Sequence, residues 1–259
     1  MSISTARPRV AVSDEQLAEL RVWNLALTVL HLVQAVAIMT LATDRTLAVT
    51  SSFSAGAGAF GVAHSQALFE VPVGFAVGGF LALAAFNHLM SGVAARDRYE
   101  HDLRHGINRL RWAEYAVSAT WMLLLIALFV GITDVVALIA IAAANVGAIL
   151  YGWLQELMNP PRREQTLMTP FVFGVITALI VWLAIVLSMV ASSGLPDFVV
   201  GVVLVQGLVF VCFPINQWLQ YRGVGMWRDY AYGEKTYALL SLVAKSLMAW
   251  QIFGGFLAA

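Results

Sequence analysis

Tyr237-Ala238-Leu239-Leu240-Ser241-Leu242-Val243-Ala244-Lys245-Ser246-Leu247-Met248-Ala249-Trp250 is an apolar run broken by two small serines, Ser241 and Ser246, and one lysine, Lys245. Taken with its flanks, Thr236–Leu257, the run is long enough to cross a bilayer core of about 30 Å, which needs about 20 apolar residues as a helix. Six further stretches meet the same standard: Val22–Ala42, Val71–Ala95, Trp112–Gly131, Val135–Leu157, Pro170–Val190 and Phe198–Leu219. Long continuous runs argue for helices; a membrane barrel shows alternating segments of about 10 residues. The expectation is an all-α bundle of seven transmembrane helices, one domain over residues 1–259.

Composition agrees. Hydrophobic residues make up 60% of the 259 and charged residues 12%, against about 45–50% and about 25% in soluble domains. The mean hydropathy is +0.80. A formal net charge of zero argues against nucleic acid as a partner. The one cysteine, Cys212, excludes a disulfide framework and a cysteine metal cluster, and no metal site is expected. Met1–Leu20 is polar and lacks the apolar core of a signal peptide, so the first span is expected to be retained.

Basic residues set the expected orientation. Of the 15 lysines and arginines, 13 fall on the side of the N-terminus: Arg7, Arg9, Arg21, Arg96, Arg98, Arg104, Arg109, Arg111, Arg162, Arg163, Arg222, Arg228 and Lys235. Arg45 lies opposite and Lys245 lies within the seventh span. Such asymmetry marks the cytoplasmic side. The N-terminus is then cytoplasmic, the C-terminus external, and the location the cell membrane. The first external loop, Thr43–Glu70, is either a flexible linker or a small β-hairpin over the external face.

Lys245 is the anomaly. It lies about nine residues, or about 14 Å, into its span. A lysine at a helix centre costs about 2.5–3.5 kcal/mol on the insertion scale, so it marks a function by default. Desolvation exposes a nucleophilic amine that condenses with an aldehyde to a Schiff base. The protonated product needs a buried anion. Glu114, in Arg111-Trp112-Ala113-Glu114-Tyr115, is the best candidate, provided that the third span begins before Trp112; otherwise it is a surface partner of Arg111. Glu70 and Glu156 read as groups at span ends, and no carboxylate falls in the seventh span, where Ser241 stands one turn before the lysine. The bland reading of Lys245 is a structural ion pair.

His31 and His88 also lie within spans, with Gln34 three residues after the first. Singly each reads as a hydrogen-bonded bundle residue; together they can form a polar pocket. Trp182, Phe210 and Phe213 are the aromatic residues placed to grip a flat ligand beside Lys245. Gly147 and Gly152 allow close approach of a ring or a helix. Pro214 is expected to bend the sixth span.

With these blocks in view, the chain resembles the heliorhodopsins, an inverted branch of the microbial rhodopsins. Three blocks carry the resemblance: Arg111-Trp112-Ala113-Glu114-Tyr115, Gly152-Trp153-Leu154-Gln155-Glu156, and Ser241-Leu242-Val243-Ala244-Lys245-Ser246 followed by Ala249-Trp250-Gln251-Ile252-Phe253. It extends from His31-Leu32-Val33-Gln34 to the last of these. The resemblance implies all-trans retinal on Lys245 as a protonated Schiff base, with Glu114 as counterion and Ser241 close by. Ser118, Asn145, Tyr115 and Gly152 fall at further positions of the retinal pocket. His31 and His88 match two histidines of a water-filled, proton-accepting cavity, and Gln34, Asn108 and Glu156 match polar positions on its cytoplasmic half. It also implies a homodimer and a hairpin in the first external loop.

The expected function is light sensing through an unidentified cytoplasmic partner. Light isomerises the retinal, the Lys245–Glu114 pair weakens, and a proton moves internally. The external half of the bundle offers no second acid, so net pumping is not expected. A light-driven proton transporter or channel is the alternative, and a retinal-free transporter or receptor a third reading. No Ser/His/Asp set or phosphate loop suggests an enzyme.

Overall fold

A computed structural model describes residues 12–52, 65–161 and 165–258. Arg7, Arg9, Arg162 and Arg163 lie outside the described residues. The elements are α1 (Asp14–Leu41), β1 (Thr46–Ser51), β2 (Gln66–Pro72), α2 (Val73–Leu89), α3 (Arg96–Arg104), α4 (Arg109–Phe129), α5 (Val135–Leu157), α6 (Thr169–Ala191), α7 (Asp197–Arg222) and α8 (Tyr230–Ile252). Single π-helical turns extend α2 over Met90–Ala94 and α8 over Phe253–Leu257. Among the described residues, seven helices are long and apolar enough to cross a membrane: all but the short, polar α3. They close a ring in which α1 packs on α2 and α8, α2 on α4, and α4 through α8 each on the next.

Three spans begin earlier than hydropathy suggests, because polar residues cap or cluster at their starts. The first starts at Asp14, where Ser13 and Gln16 form a reciprocal capping box: Ser13 Oγ accepts from Gln16 N at 3.2 Å and Gln16 Oε1 accepts from Ser13 N at 3.0 Å. The third starts at Arg109, because Asn108 caps it through Oδ1 to Arg111 N at 3.0 Å. The seventh starts at Tyr230, capped by Asp229. Its carboxylate Glu234 therefore lies inside the helix, which corrects the expectation that the seventh span carries none. Pro214 is carried within the continuous helix α7, which ends at Gly223 in the left-handed region (φ 61°).

The first long loop forms the hairpin. β1 and β2 pair antiparallel from Thr46 opposite Pro72 to Ser51 opposite Gln66, with an irregularity at Val49/Thr50. Val49 is buried on the end of the bundle away from the N-terminus. Residues 53–64 of that loop lie outside the described residues.

The buried interior has two chemistries. Towards the hairpin it is apolar: Ile38, Val73, Phe80, Leu125, Ile126, Ile185, Met248 and Ile252 belong to one cluster. Towards the N-terminal end it holds Asn24, His31, His88, Asn108, Arg111, Glu114, Glu156 and Glu234, all buried. The outward faces are aliphatic, as at Leu179, Ile180, Leu183 and Leu187 of α6. Helices greasy on their outer surface suit a lipid solvent.

Candidate functional site

Lys245 lies at the boundary between the two halves. Its side chain is 3% exposed and that of Glu114 is 4%. Starting α4 at Arg109 carries Glu114 past its first turn, to the depth of the lysine. Lys245 Nζ donates to Ser241 Oγ at 2.7 Å and lies 3.2 Å from Glu114 Oε1. The serine takes the aligned hydrogen bond; the glutamate contact is an ion pair without hydrogen-bond alignment. Tyr115 presents its ring 5.4 Å from Nζ.

The amine opens onto a cavity of about 410 Å³, inside the range of about 300–1,000 Å³ for small-molecule sites. Tyr115, Asn145, Gly152, Trp182, Phe210 and Phe213 line it, with Lys245 and Ser241 at its wall. Trp182 and Phe210 meet edge-on at 5.4 Å, and Tyr115 and Phe213 likewise at 5.5 Å. Asn145 Nδ2 donates to Thr120 Oγ1 at 2.9 Å. Gly152 is needed where it stands, because a Cβ there would collide with the ring of Trp112. An amine at the end of an aromatic-lined cavity, with one carboxylate beside it, fits a conjugated aldehyde such as retinal.

Ser118 is buried, yet its hydroxyl has no partner and it does not line this cavity; its neighbour Ala119 does. Of the positions that the resemblance assigns to the retinal pocket, it is the one that does not line this cavity.

A smaller cavity of about 30 Å³ joins the site to the N-terminal end, with room for water. Asn24, His88, Asn108, Arg111, Glu114 and Glu234 are among its walls. His88 Nδ1 pairs with Asn24 Oδ1 at 2.8 Å, and His31 stacks parallel to His88 with centroids 5.6 Å apart. His31 itself has no hydrogen-bond partner and does not line the cavity. Gln34 is separated from both: it is half-buried and accepts from Trp250 Nε1 at 3.1 Å on the outer seam of α1 and α8.

Glu156 and Arg111 are more deeply buried than the sequence suggested. Glu156 stands at the end of α5, as expected, but is fully buried rather than interfacial, and Arg111 is buried rather than paired with Glu114 at a surface. Arg111 Nη2 donates to Glu156 Oε1 at 2.5 Å, and Nη1 donates to Glu234 Oε1. Trp112 Nε1 donates to Glu156 Oε2 at 2.5 Å, Asn108 N to the same oxygen at 3.0 Å, and Tyr230 Oη to Oε1 at 3.2 Å. The guanidinium stacks 3.9 Å from the Tyr237 ring centre. Glu156 therefore anchors three helices and stands outside the small cavity.

Sequence reasoning missed Glu234. The spacing Glu234–Tyr237–Ser241–Lys245 places four residues on one helix face and carries the signal. It was hidden because hydropathy delayed the start of the span to Thr236.

The model of the family described as Heliorhodopsin matches residues 20–257. The chain belongs to the heliorhodopsin family. As a member, it is a multi-pass membrane protein of a retinal-binding, light-responsive class. Solved structures share the fold. Cyanorhodopsin from the cyanobacterium Tolypothrix sp. NIES-4075 is 11% identical, with a TM-score of 0.64 over 93% of this chain and 94% of that one. A light-driven proton pump from Leptosphaeria maculans is 15% identical, with a TM-score of 0.65 over 95% of each chain. No curated protein matches the sequence.

Proposed function

We propose that this heliorhodopsin-family chain is a light sensor that carries all-trans retinal on Lys245, moves a proton internally and transports none. The observation that carries the reading is the Lys245 amine, 3.2 Å from Glu114 and open to the aromatic cavity. Retinal, linked to Nζ as a protonated Schiff base, supplies light absorption and a change of shape on isomerisation.

The chain's own residues do the rest. Glu114 holds the positive charge at Nζ, and Ser241 Oγ fixes the nitrogen's position. Trp182, Phe210 and Phe213 grip the cavity's occupant and exclude water from that side. When the ion pair weakens, Glu114 accepts the proton from Nζ, leaving two neutral groups in place of a buried pair. Its water-sized cavity leads to His88 and the N-terminal end.

The layout favours return of the proton. Between Lys245 and the hairpin end, the described parts of the spans carry no Asp, Glu, His, Lys or Arg until the rim residue Asp197. A pump needs a relay on both sides of the nitrogen. The basic residues at the N-terminal end support a cytoplasmic N-terminus in the cell membrane. A homodimer and a cytoplasmic signalling partner complete the reading.

The test adds all-trans retinal to the purified apoprotein, beside Lys245→Ala. A visible band in the parent alone is expected. No band in a folded parent would sink the reading, and a protonophore-sensitive pH change on illumination would overturn its no-transport half.

A further inference from the structure

Three carboxylates and two cations are buried together on the N-terminal side of the site. Glu114 faces Lys245, whereas Glu156 and Glu234 share Arg111. One negative charge is left over, and an uncompensated buried charge is strongly unfavourable.

The hydrogen bonds identify the carboxyl that can shed it. Glu156 accepts from four donors, two at each oxygen. An ionised carboxylate has about four acceptor sites, so Glu156 has no place for a proton. Among the described residues, Glu234 accepts only from Arg111 Nη1 at Oε1 and from Asn108 Nδ2 at Oε2, the latter at 2.7 Å. Each of its oxygens keeps one site open, and its side chain lines the small cavity with Glu114 and Ser241.

Among the described residues, the groups around Glu234 supply no second cation. Arg111 and Glu114 face it from α4, Glu156 from α5, Tyr99 from α3 and Tyr237 from its own helix. His88 of α2 is bonded to Asn24 of α1 and makes no ion pair with a carboxylate. Asn216 of α7 adds only an amide, spent on Gly233 O.

We propose that Glu234 is a neutral carboxylic acid in the resting protein and the proton-bearing residue of this cavity. The charge count is the same whether Lys245 is a free ammonium or a protonated linkage. Only the consequence rests on the proposed function: through cavity water, the Glu234 hydroxyl and Glu114 can exchange a proton without any charge leaving the bundle. Glu156, by contrast, is a fixed anion.

The test is the infrared spectrum of the full-length protein in the dark, as parent and Glu234→Gln, in H₂O and D₂O. The expected result is loss in the variant of a protonated-carboxyl C=O band that moves down in D₂O. Loss of an ionised-carboxylate band instead would overturn the proposal. Should Glu234→Gln fail to fold, Glu234→Asp keeps the acid: its C=O band is expected to move, and an unmoved band overturns the assignment. The apoprotein answers the same question, so failure to bind retinal counts against the proposed function alone.

Discussion

The two ends of the bundle are built on opposite principles. Towards the hairpin, Phe80, Leu125, Ile185 and Ile252 fill the interior, and burial of apolar surface and close packing hold the helices. Towards the N-terminus, the same helices are held by Arg111, Glu156, Glu234, Asn108 and Trp112 in a network with few open positions. Lys245 sits where the two meet. The difference teaches that, among the described parts of the spans, the buried carboxylates and their cations are gathered on one side of the reactive amine. On the proposed reading, that asymmetry returns the proton to the nitrogen.

The largest effect is expected from Glu114→Gln. It removes the proton acceptor nearest Nζ, so light-induced deprotonation should slow by about 10²–10⁴-fold. Flash spectroscopy checks it, and an unchanged rate would move the acceptor elsewhere in the polar half. Arg111→Met should cost about 3–5 kcal/mol, because it strands the buried Glu156 carboxylate without its cation and takes a donor from Glu234. Melting in detergent reads this, and an unshifted midpoint would break the contrast between the two ends.

Leu125→Ala probes the apolar end. Leu125 is buried, and its truncation should cost about 2–5 kcal/mol. The visible band should stay in place; a shifted band would mean that the apolar end also tunes the site. Ser13→Ala removes the capping box of α1 and should cost about 1 kcal/mol, measurable as a small loss in melting temperature.

The smallest effect is a pH dependence at the hairpin end. The Ala137 backbone N–H, first among its partners, together with Val136 N–H, holds the Asp134 carboxyl below its ordinary range. A depressed carboxyl stabilises the fold above its unfolded value near 4 and loses that contribution as pH falls through its folded value. Asp134→Asn keeps the cap without the titration. The parent should therefore lose slightly more stability than the variant below about pH 4, and parallel acid melts would refute this.

Much of the site was legible in the chain. Lys245 stands out because a charge amid apolar residues is costly in a membrane, and Ser241 follows from the helical repeat. Glu114 was legible only on the condition that α4 began early, and Asn108, a capping residue, met that condition. Trp182, Phe210 and Phe213 were legible as aromatic residues and do line one cavity. Ser118, His31 and Gln34 show the limit: position along a helix does not fix which side chain reaches a cavity wall.

By itself, the sequence determined the seven spans, the buried amine and the family. Each of these depends on local composition, or on short blocks of neighbours, and solvent exposure of a helix follows from its own residues. Only the tertiary structure decided that Arg111 belongs to Glu156 and Glu234 rather than to Glu114, and that Glu234 enters the polar cavity. These contacts join α4, α5 and α8 across long stretches of chain. Coulomb energy and hydrogen bonding depend on distance and direction in space, and neither is written in the order of residues.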